Sequence, residues 1–286
     1  MRTVTFQSVL WGVARLLGMR PEKDLTADRA GTLTEYINSR LVEGWRWDFW
    51  PEWTACEQRQ FRPSYDETAS VAAGDEVYDL GTDKYYRAVL AQAPAAEAPG
   101  NLTYWALVTA EDFDAYLPKE MVGFTPMDEV KRVLKRNPRT HVLNPGELAW
   151  EETDRGIQLR NAIVTRPWVE FRRRPPVFDS RVWSATEAVV AGMIRYVPTT
   201  GDCWLALQAS TNKAPATEPT YWSRVLFPSA LATWVKRAAL SDGLLDLEQT
   251  DRSLAELSKA EGELQDAVDR ALGAQGMWAQ ARVELQ

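Results

Sequence analysis

The sequence predicts an α+β fold: a helical bundle formed by the N- and C-terminal segments, with a β-rich insertion containing two small three-stranded repeats. Three observations predict it. Apolar residues follow helical spacing at both ends of the chain. The middle breaks into short β-prone pieces punctuated by Gly, Pro, Asp and Thr. And the middle repeats itself at an offset of 118 residues in its first block and 117 in its last. With 286 residues, 45% hydrophobic and 26% charged, the chain has the composition of a folded protein rather than a disordered one.

Residues 5–18 read as a first helix, with Leu10, Trp11, Val13, Ala14, Leu16 and Leu17 on a broad apolar face; Pro21, after Gly18, ends it. Thr26 caps a second helix, with Asp28 and Arg29 in its first turn. Its stripe is Leu33, Ile37, Leu41 and Trp45, stopped by Gly44 and the segment Trp45–Trp53. Trp45, Trp47, Trp50 and Trp53 crowd there, either as a packed corner or as an aromatic anchor for a partner. Residues 56–117, 121–182 and 183–227 are β-prone. In Trp168–Phe171, Trp168 and Glu170 face one way and Val169 and Phe171 the other, until Pro175 and Pro176 end the strand. Ser229 caps the next helix, whose face is Leu231, Trp234, Val235 and Ala238, and Ser241–Gly243 interrupts it. A last helix covers 250–272, after which Gly273 and Gly276 release a tail. The expected organisation is a bundle from 1–55 and 228–272, a first β module at 56–118, a β-rich linker region at 119–182, a second module at 183–227, and a tail at 273–286. Neither terminal helical segment buries its apolar face alone, so the two ends pack together.

The repeat is the most specific signal. Ala73–Gly74 matches Ala191–Gly192, Tyr78 matches Tyr196, Tyr86 matches Trp204, Ala88 matches Ala206, and Thr103–Tyr104–Trp105 matches Thr220–Tyr221–Trp222. In each copy a Gly opens a strand, a Gly-containing turn (Gly81 or Gly201) reverses it, and a Pro-rich loop leads to the returning strand. Three strands this short make no ordinary core, so large aromatics must supply the burial.

Composition excludes several function classes. Net charge is −7, which disfavours general binding to duplex DNA, because phosphate neutralisation drives that binding. The charge is uneven: residues 119–182 hold 13 Lys/Arg against 9 Asp/Glu, and residues 240–286 hold 4 against 10. Cys56 and Cys203 make no disulfide framework; they could form one bridge but read as two buried free thiols. With His141 as the one histidine, most metal sites and every two-histidine scheme fall away, and no metal or cofactor is expected. No apolar run approaches the roughly 20 residues of a membrane span, and Gln7, Ser8 and Arg15 interrupt the N-terminus as a signal peptide. There is no phosphate-binding glycine loop. Asp75–Glu76 and Glu151–Glu152 are strand neighbours that point to opposite faces, not a glycosidase pair, and Glu111–Asp112 reads as a helix start. The basic run Arg172–Arg174, with Lys131, Arg132, Lys135, Arg136 and Arg139, forms either a patch or a set of ion pairs.

Two resemblances follow from these residues. Each repeat copy, residues 73–105 and 191–222, resembles the small carbohydrate-binding modules of the chitin-binding type (families five and twelve), with a strand aromatic, a Tyr/Trp-x-Ala element and a Tyr-Trp pair after a Pro loop. The resemblance implies sugar stacking on Trp204, Tyr221 and Trp222, and on Tyr86, Tyr104 and Trp105; the alternative is that these rings are the miniature core. The wider chain, through Tyr36–Trp53, the Trp168–Pro176 strand and the helical C-terminus, is similar to head-to-tail adaptor (connector) proteins of tailed bacteriophages. That resemblance implies a non-enzymatic virion protein at the neck, assembled in the host cytoplasm. It implies a ring of twelve copies under the portal protein, a tail-side connector or tail terminator protein below, no membrane, and genomic DNA passing the lumen without specific binding. Met277, Trp278, Arg282, Val283 and Leu285 of the tail are its portal-docking candidates. The alternative is a carbohydrate-binding tail or receptor-binding component.

Overall fold

A computed structural model describes residues 2–47, 50–59, 65–79, 81–82, 84–93, 97–108, 115–117, 125–141, 144–153, 156–159 and 166–283. The chain opens with β1 (Thr3–Val4), α1 (Phe6–Leu16), α2 (Pro21–Asp24) and α3 (Ala27–Arg46). Then come β2 (Thr54–Gln58), β3 (Glu76–Asp79), β4 (Lys84–Ala88), β5 (Trp105–Val108), β6 (Ala115–Leu117), β7 (Met127–Leu134), β8 (Trp150–Thr153), β9 (Gly156–Leu159) and β10 (Trp168–Arg173). β11 (Ala188–Val189), β12 (Ile194–Val197), β13 (Asp202–Ala206), β14 (Ser210–Thr211), β15 (Trp222–Val225) and β16 (Phe227–Pro228) lead into α4 (Ser229–Asp246) and α5 (Thr250–Val283). The chain is mixed α and β, with small antiparallel sheets between helical ends. It divides into two compact units, Met1–Glu52 with Pro175–Gln286, and Trp53–Arg174. The division differs from the expected one: the second β module groups with the helices, and the first with the β region.

In the first unit, Thr5 and Thr26 cap α1 and α3, their hydroxyls accepting from the backbone N–H of Ser8 and Arg29, each contributing about 1 kcal/mol. α4 packs against α1, α3 and α5. α3 and α4 run antiparallel. Gly44 lies so close to Trp234 that a Cβ there would sit 2.3 Å from the ring. Arg40 grips both carboxylate oxygens of Asp242, at 2.8 and 2.5 Å, and Tyr36 donates to Asp246. α1 runs parallel to α4, with Gly12 beside Lys236 and Leu17 against Gly243. The second sheet, β12-β13-β15, joins this unit through Tyr196, edge-on to Phe6 at 5.9 Å, and through the Gln7 N–H, which donates to the Gly201 carbonyl at 2.9 Å.

Three expectations for this unit are corrected. Ser229 is not a cap: the cap position is Pro228, and the Ser229 N–H is satisfied by the Arg2 carbonyl at 3.1 Å, beside the β1–β16 pairing. Ser241–Gly243 does not interrupt α4. The Ser241 hydroxyl is buried on the α5 side, bonded to Ser253, and Gly243 makes room for Leu17. Finally, α5 runs through Gly273 and Gly276 to Val283, so the expected tail continues the helix.

In the second unit, β2-β10-β7 and β6-β9-β8 form two three-stranded sheets over one core. Val169 and Phe171 of β10 meet Ala55, Val130 and Val133 of their own sheet and Ile157 and Leu159 of β9, as the alternation in Trp168–Phe171 predicts. The segment read as a linker therefore supplies most of a small β-sandwich. The third sheet, β3-β4-β5, keeps a separate cluster of Val71, Val77, Tyr86, Ala88 and Trp105. The Glu111–Asp112 helix start lies outside the described residues.

Candidate binding and docking surfaces

The two small sheets carry corresponding hydrogen bonds. Gly74 N–H donates to Ala88 and Gly192 N–H to Ala206; Val89 N–H donates to Tyr104 and Leu207 N–H to Tyr221. Ala88 pairs with Trp105 across the strands as Ala206 pairs with Trp222. Gly74 and Gly192 both sit at positive φ, +93° and +89°, where an L side chain is strained. The Val71–Gln92 bridge recurs as Val189–Ser210.

The six ring residues divide on burial. Trp105 and Trp222 are 0% and 2% exposed, and each Nε1–H donates to a loop carbonyl, Glu97 at 3.0 Å and Lys213 at 2.9 Å. Tyr86 is also buried. These three are core, and a stacking platform of Trp204, Tyr221 and Trp222 does not form. Burial of a large ring is what so small a sheet needs to be stable, and it removes the ring from any ligand. Tyr104, Trp204 and Tyr221 remain partly exposed.

The copies differ around the mid-strand aromatic. Tyr86 lies between Val77 and Leu107, an apolar frame. Trp204 lies between Arg195 and Arg224, a polar one. Arg195 is buried and bonds both oxygens of Glu187, whose carboxyl is held below its usual range by that hydrogen bond. Arg224 pairs with Asp202 at 2.8 Å, and Lys213 sits 5.3 Å from the Tyr221 ring.

The tryptophan anchor is corrected as well. Trp45, Trp50 and Trp53 are buried, and Trp50 Nε1–H donates to the Gly44 carbonyl at 2.9 Å. Only Trp47 of the four is exposed. Of the docking candidates, Met277, Trp278, Arg282 and Val283 lie on the backbone of α5; their side chains, and Leu285, fall outside what is described.

Two surfaces escaped the sequence reading. Leu16, Leu245, Leu247 and Leu254 are each 48–60% exposed. The parallel α1–α4 pairing and the α4–α5 turn put them at one end of the helices. Such leucines leave no signal in sequence, because helical spacing does not reveal which end is open. The other surface is a groove of about 740 Å³ lined by Leu10, Trp11, Pro21, Leu25, Val182 and Pro198, among others. Its walls come from segments some 170 residues apart, so no local motif marks it.

The chemistry-bearing residues are quiet. Burial pushes the Cys203 thiol up to about 12, and its Sγ donates to the Asp179 carbonyl, so it is protonated at neutral pH. Burial also raises the Cys56 thiol, helped by the nearby Glu170 charge. His141 is exposed on a turn. The basic set splits in two. Arg172 and Lys131 share Glu129, and Arg132 pairs with Glu170 at 2.6 Å. Lys135, Arg136 and Arg139 are exposed. Among the described residues, no group of three His, Cys, Asp or Glu side chains is placed to hold a metal ion, and no helix is long and apolar enough to cross a membrane. No protein-family model, no curated protein and no solved structure matches this chain.

Proposed function

We propose that this protein is a structural, non-enzymatic component of a tailed-phage virion: a head-to-tail adaptor that forms a ring, commonly of twelve copies, under the portal protein. On this reading a tail-side connector or terminator docks below, and DNA passes through the lumen. The helices of the two chain ends are one bundle, and the two three-stranded sheets are copies of one module used as building blocks. The observation that carries the reading is the placement of apolar surface. Both copies bury their equivalent Trp, and Leu16, Leu245, Leu247 and Leu254, among the exposed large apolar residues, lie near one end of the helices. Contiguous exposed apolar groups on a folded chain mark a protein-protein contact. The 34-residue α5 also outruns the 18-residue α4 that it packs against, extending residues 273–283 beyond it. That arm suits a docking element, and its sequence positions include Met277, Trp278 and Val283.

The test is light scattering of the purified chain, alone and with the portal protein of the same genome. A dodecamer-sized ring, or a monomer that co-elutes with portal, supports the reading. Removing residues 274–286 should abolish portal association while leaving the rest of the fold and its melting temperature unchanged; unaltered association of that truncation sinks the arm's role. A monomer that ignores portal but is retained on chitin would favour the carbohydrate-binding alternative, resting on Trp204 and Tyr221.

A further inference from the structure

β7 ends in a hydrogen-bonded, basic turn whose described part is residues 135–141. The Arg139 N–H donates to Asn137 Oδ1 at 2.9 Å, and the His141 N–H to the Asn137 carbonyl at 2.9 Å. On the far side, Lys135 N–H donates to the Gly146 carbonyl at 2.7 Å and Arg136 N–H to the Pro145 carbonyl at 3.0 Å. The Lys135 stem lies along Gly146, which holds positive φ. The backbone that carries Lys135, Arg136 and Arg139 is thus fixed before any partner arrives, which lowers the ordering cost of a contact.

These three cations differ from their neighbours. Lys131 and Arg172 share Glu129, and Arg132 pairs with Glu170 on the neighbouring strand. Among the described residues, Lys135, Arg136 and Arg139 make no ion pair, although Glu147 stands opposite Leu134 across the hairpin. A chain of net charge −7 thus presents three exposed cations within five residues, none in an ion pair with a described residue. Every side chain of 135–141 is polar or proline; Val142 and Leu143, which follow in the chain, lie outside the described residues. A protein partner is held by a buried apolar centre with charges at its rim. Phosphates need no such centre: Lys and Arg contact them through charge alone, without reading bases.

We propose that the 135–141 turn is a sequence-independent contact for the phosphate backbone of duplex DNA, made by Lys135, Arg136 and Arg139. The contact is local and weak, because the remainder of the chain is acidic. It does not rest on the virion reading, since a free chain should show it.

The experiment is an amide NMR titration of the full chain with a 12-base-pair duplex at low salt. Three phosphate contacts predict a dependence of log affinity on log salt of about −2.7, so a fourfold rise in salt weakens binding by about 40-fold. Shifts should centre on residues 135–141 and be equal for two unrelated duplex sequences. The triple variant Lys135→Gln/Arg136→Gln/Arg139→Gln should lose them while its other amides stay in place. Absence of shifts, or shifts that persist in the variant, overturns the proposal. So does a stronger response to poly-glutamate than to duplex, which would assign the turn to an acidic protein surface instead.

Discussion

Trp105 and Trp222 occupy the same place in two sheets whose paired strands align at an offset of 117–118 residues. Each faces an alanine across the strands, Ala88 or Ala206, and each Nε1–H is bonded to a carbonyl of the loop that precedes it. The indole is both the core of its sheet and the clasp on its longest loop. Trp204 stands on the middle strand of the second sheet in a more open position. Trp222→Ala should therefore destabilise by about 3–5 kcal/mol, as expected for deleting a buried Trp. Trp204→Ala should cost well under half of that. Urea unfolding followed by circular dichroism separates the two, and equal losses would show that Trp204 is a core residue too.

Gly44 and Gly31 sit in the same helix with opposite surroundings. A Cβ at Gly44 would meet the Trp234 ring at 2.3 Å, and a ring wedged between helices cannot swing away. Gly44→Ala should lower stability by about 1–3 kcal/mol through overpacking, despite the better helix propensity of Ala. At Gly31 nothing lies within 4 Å, so Gly31→Ala should raise stability by about 0.5–1 kcal/mol. Melting temperatures of the two variants should move in opposite directions; two shifts of the same sign would contradict this packing of α3 on α4.

The Cys203 thiol gives the fold an alkaline limit. In the folded chain burial holds its pKa at about 12, against 9.0 for a free thiol, and burial likewise holds Tyr196 at about 12, above its ordinary 10.0. Both are raised, so their contribution is complete below the unfolded values and is lost as pH rises through the window from 9 to 12. Above pH 9 the unfolded chain releases the proton and the folded chain keeps it. Between pH 9 and 10.5 the thiol's share amounts to about 1–2 kcal/mol. Cys203→Ala should flatten the fall in melting temperature over that range, and Tyr196→Phe should flatten its upper part. A variant whose alkaline curve parallels the parent's would place the pH sensitivity elsewhere.

Much of this was legible in the sequence, and the reason differs by element. α1 and α3 declare themselves through Thr5 and Thr26 and through stripes such as Leu33–Ile37–Leu41, because caps and helical period are local properties. The strands of the two small sheets emerge from self-comparison, since their Gly and aromatic positions recur. What was hidden depends on distant partners. Gly273 and Gly276 look like stops, yet α5 passes through them. Ser241 looks like a break until Ser253 accepts its hydroxyl. Trp45, Trp50 and Trp53 read first as a packed corner and second as an anchor, because composition cannot say which side of a ring is covered. Arg132 and Arg139 look alike in sequence, but only Arg132 has a glutamate waiting on the next strand.

The exposed leucines invite the last prediction. Leu245 and Leu247 are each 55% exposed and Leu254 is 60% exposed, at the turn that joins α4 to α5. Left in water, three such side chains together forgo about 3 kcal/mol of the burial energy open to them. A contact that covers them recovers it, and a charge placed there forfeits it. Leu245→Glu/Leu254→Glu should therefore leave the monomer's unfolding free energy within about 0.5 kcal/mol of the parent, because these positions lie outside the core. The same variant should lower self-association, or association with portal, by at least tenfold in light scattering. Unchanged association would show that the leucine end stays bare in the assembly, and would move the docking role to the arm of α5 alone.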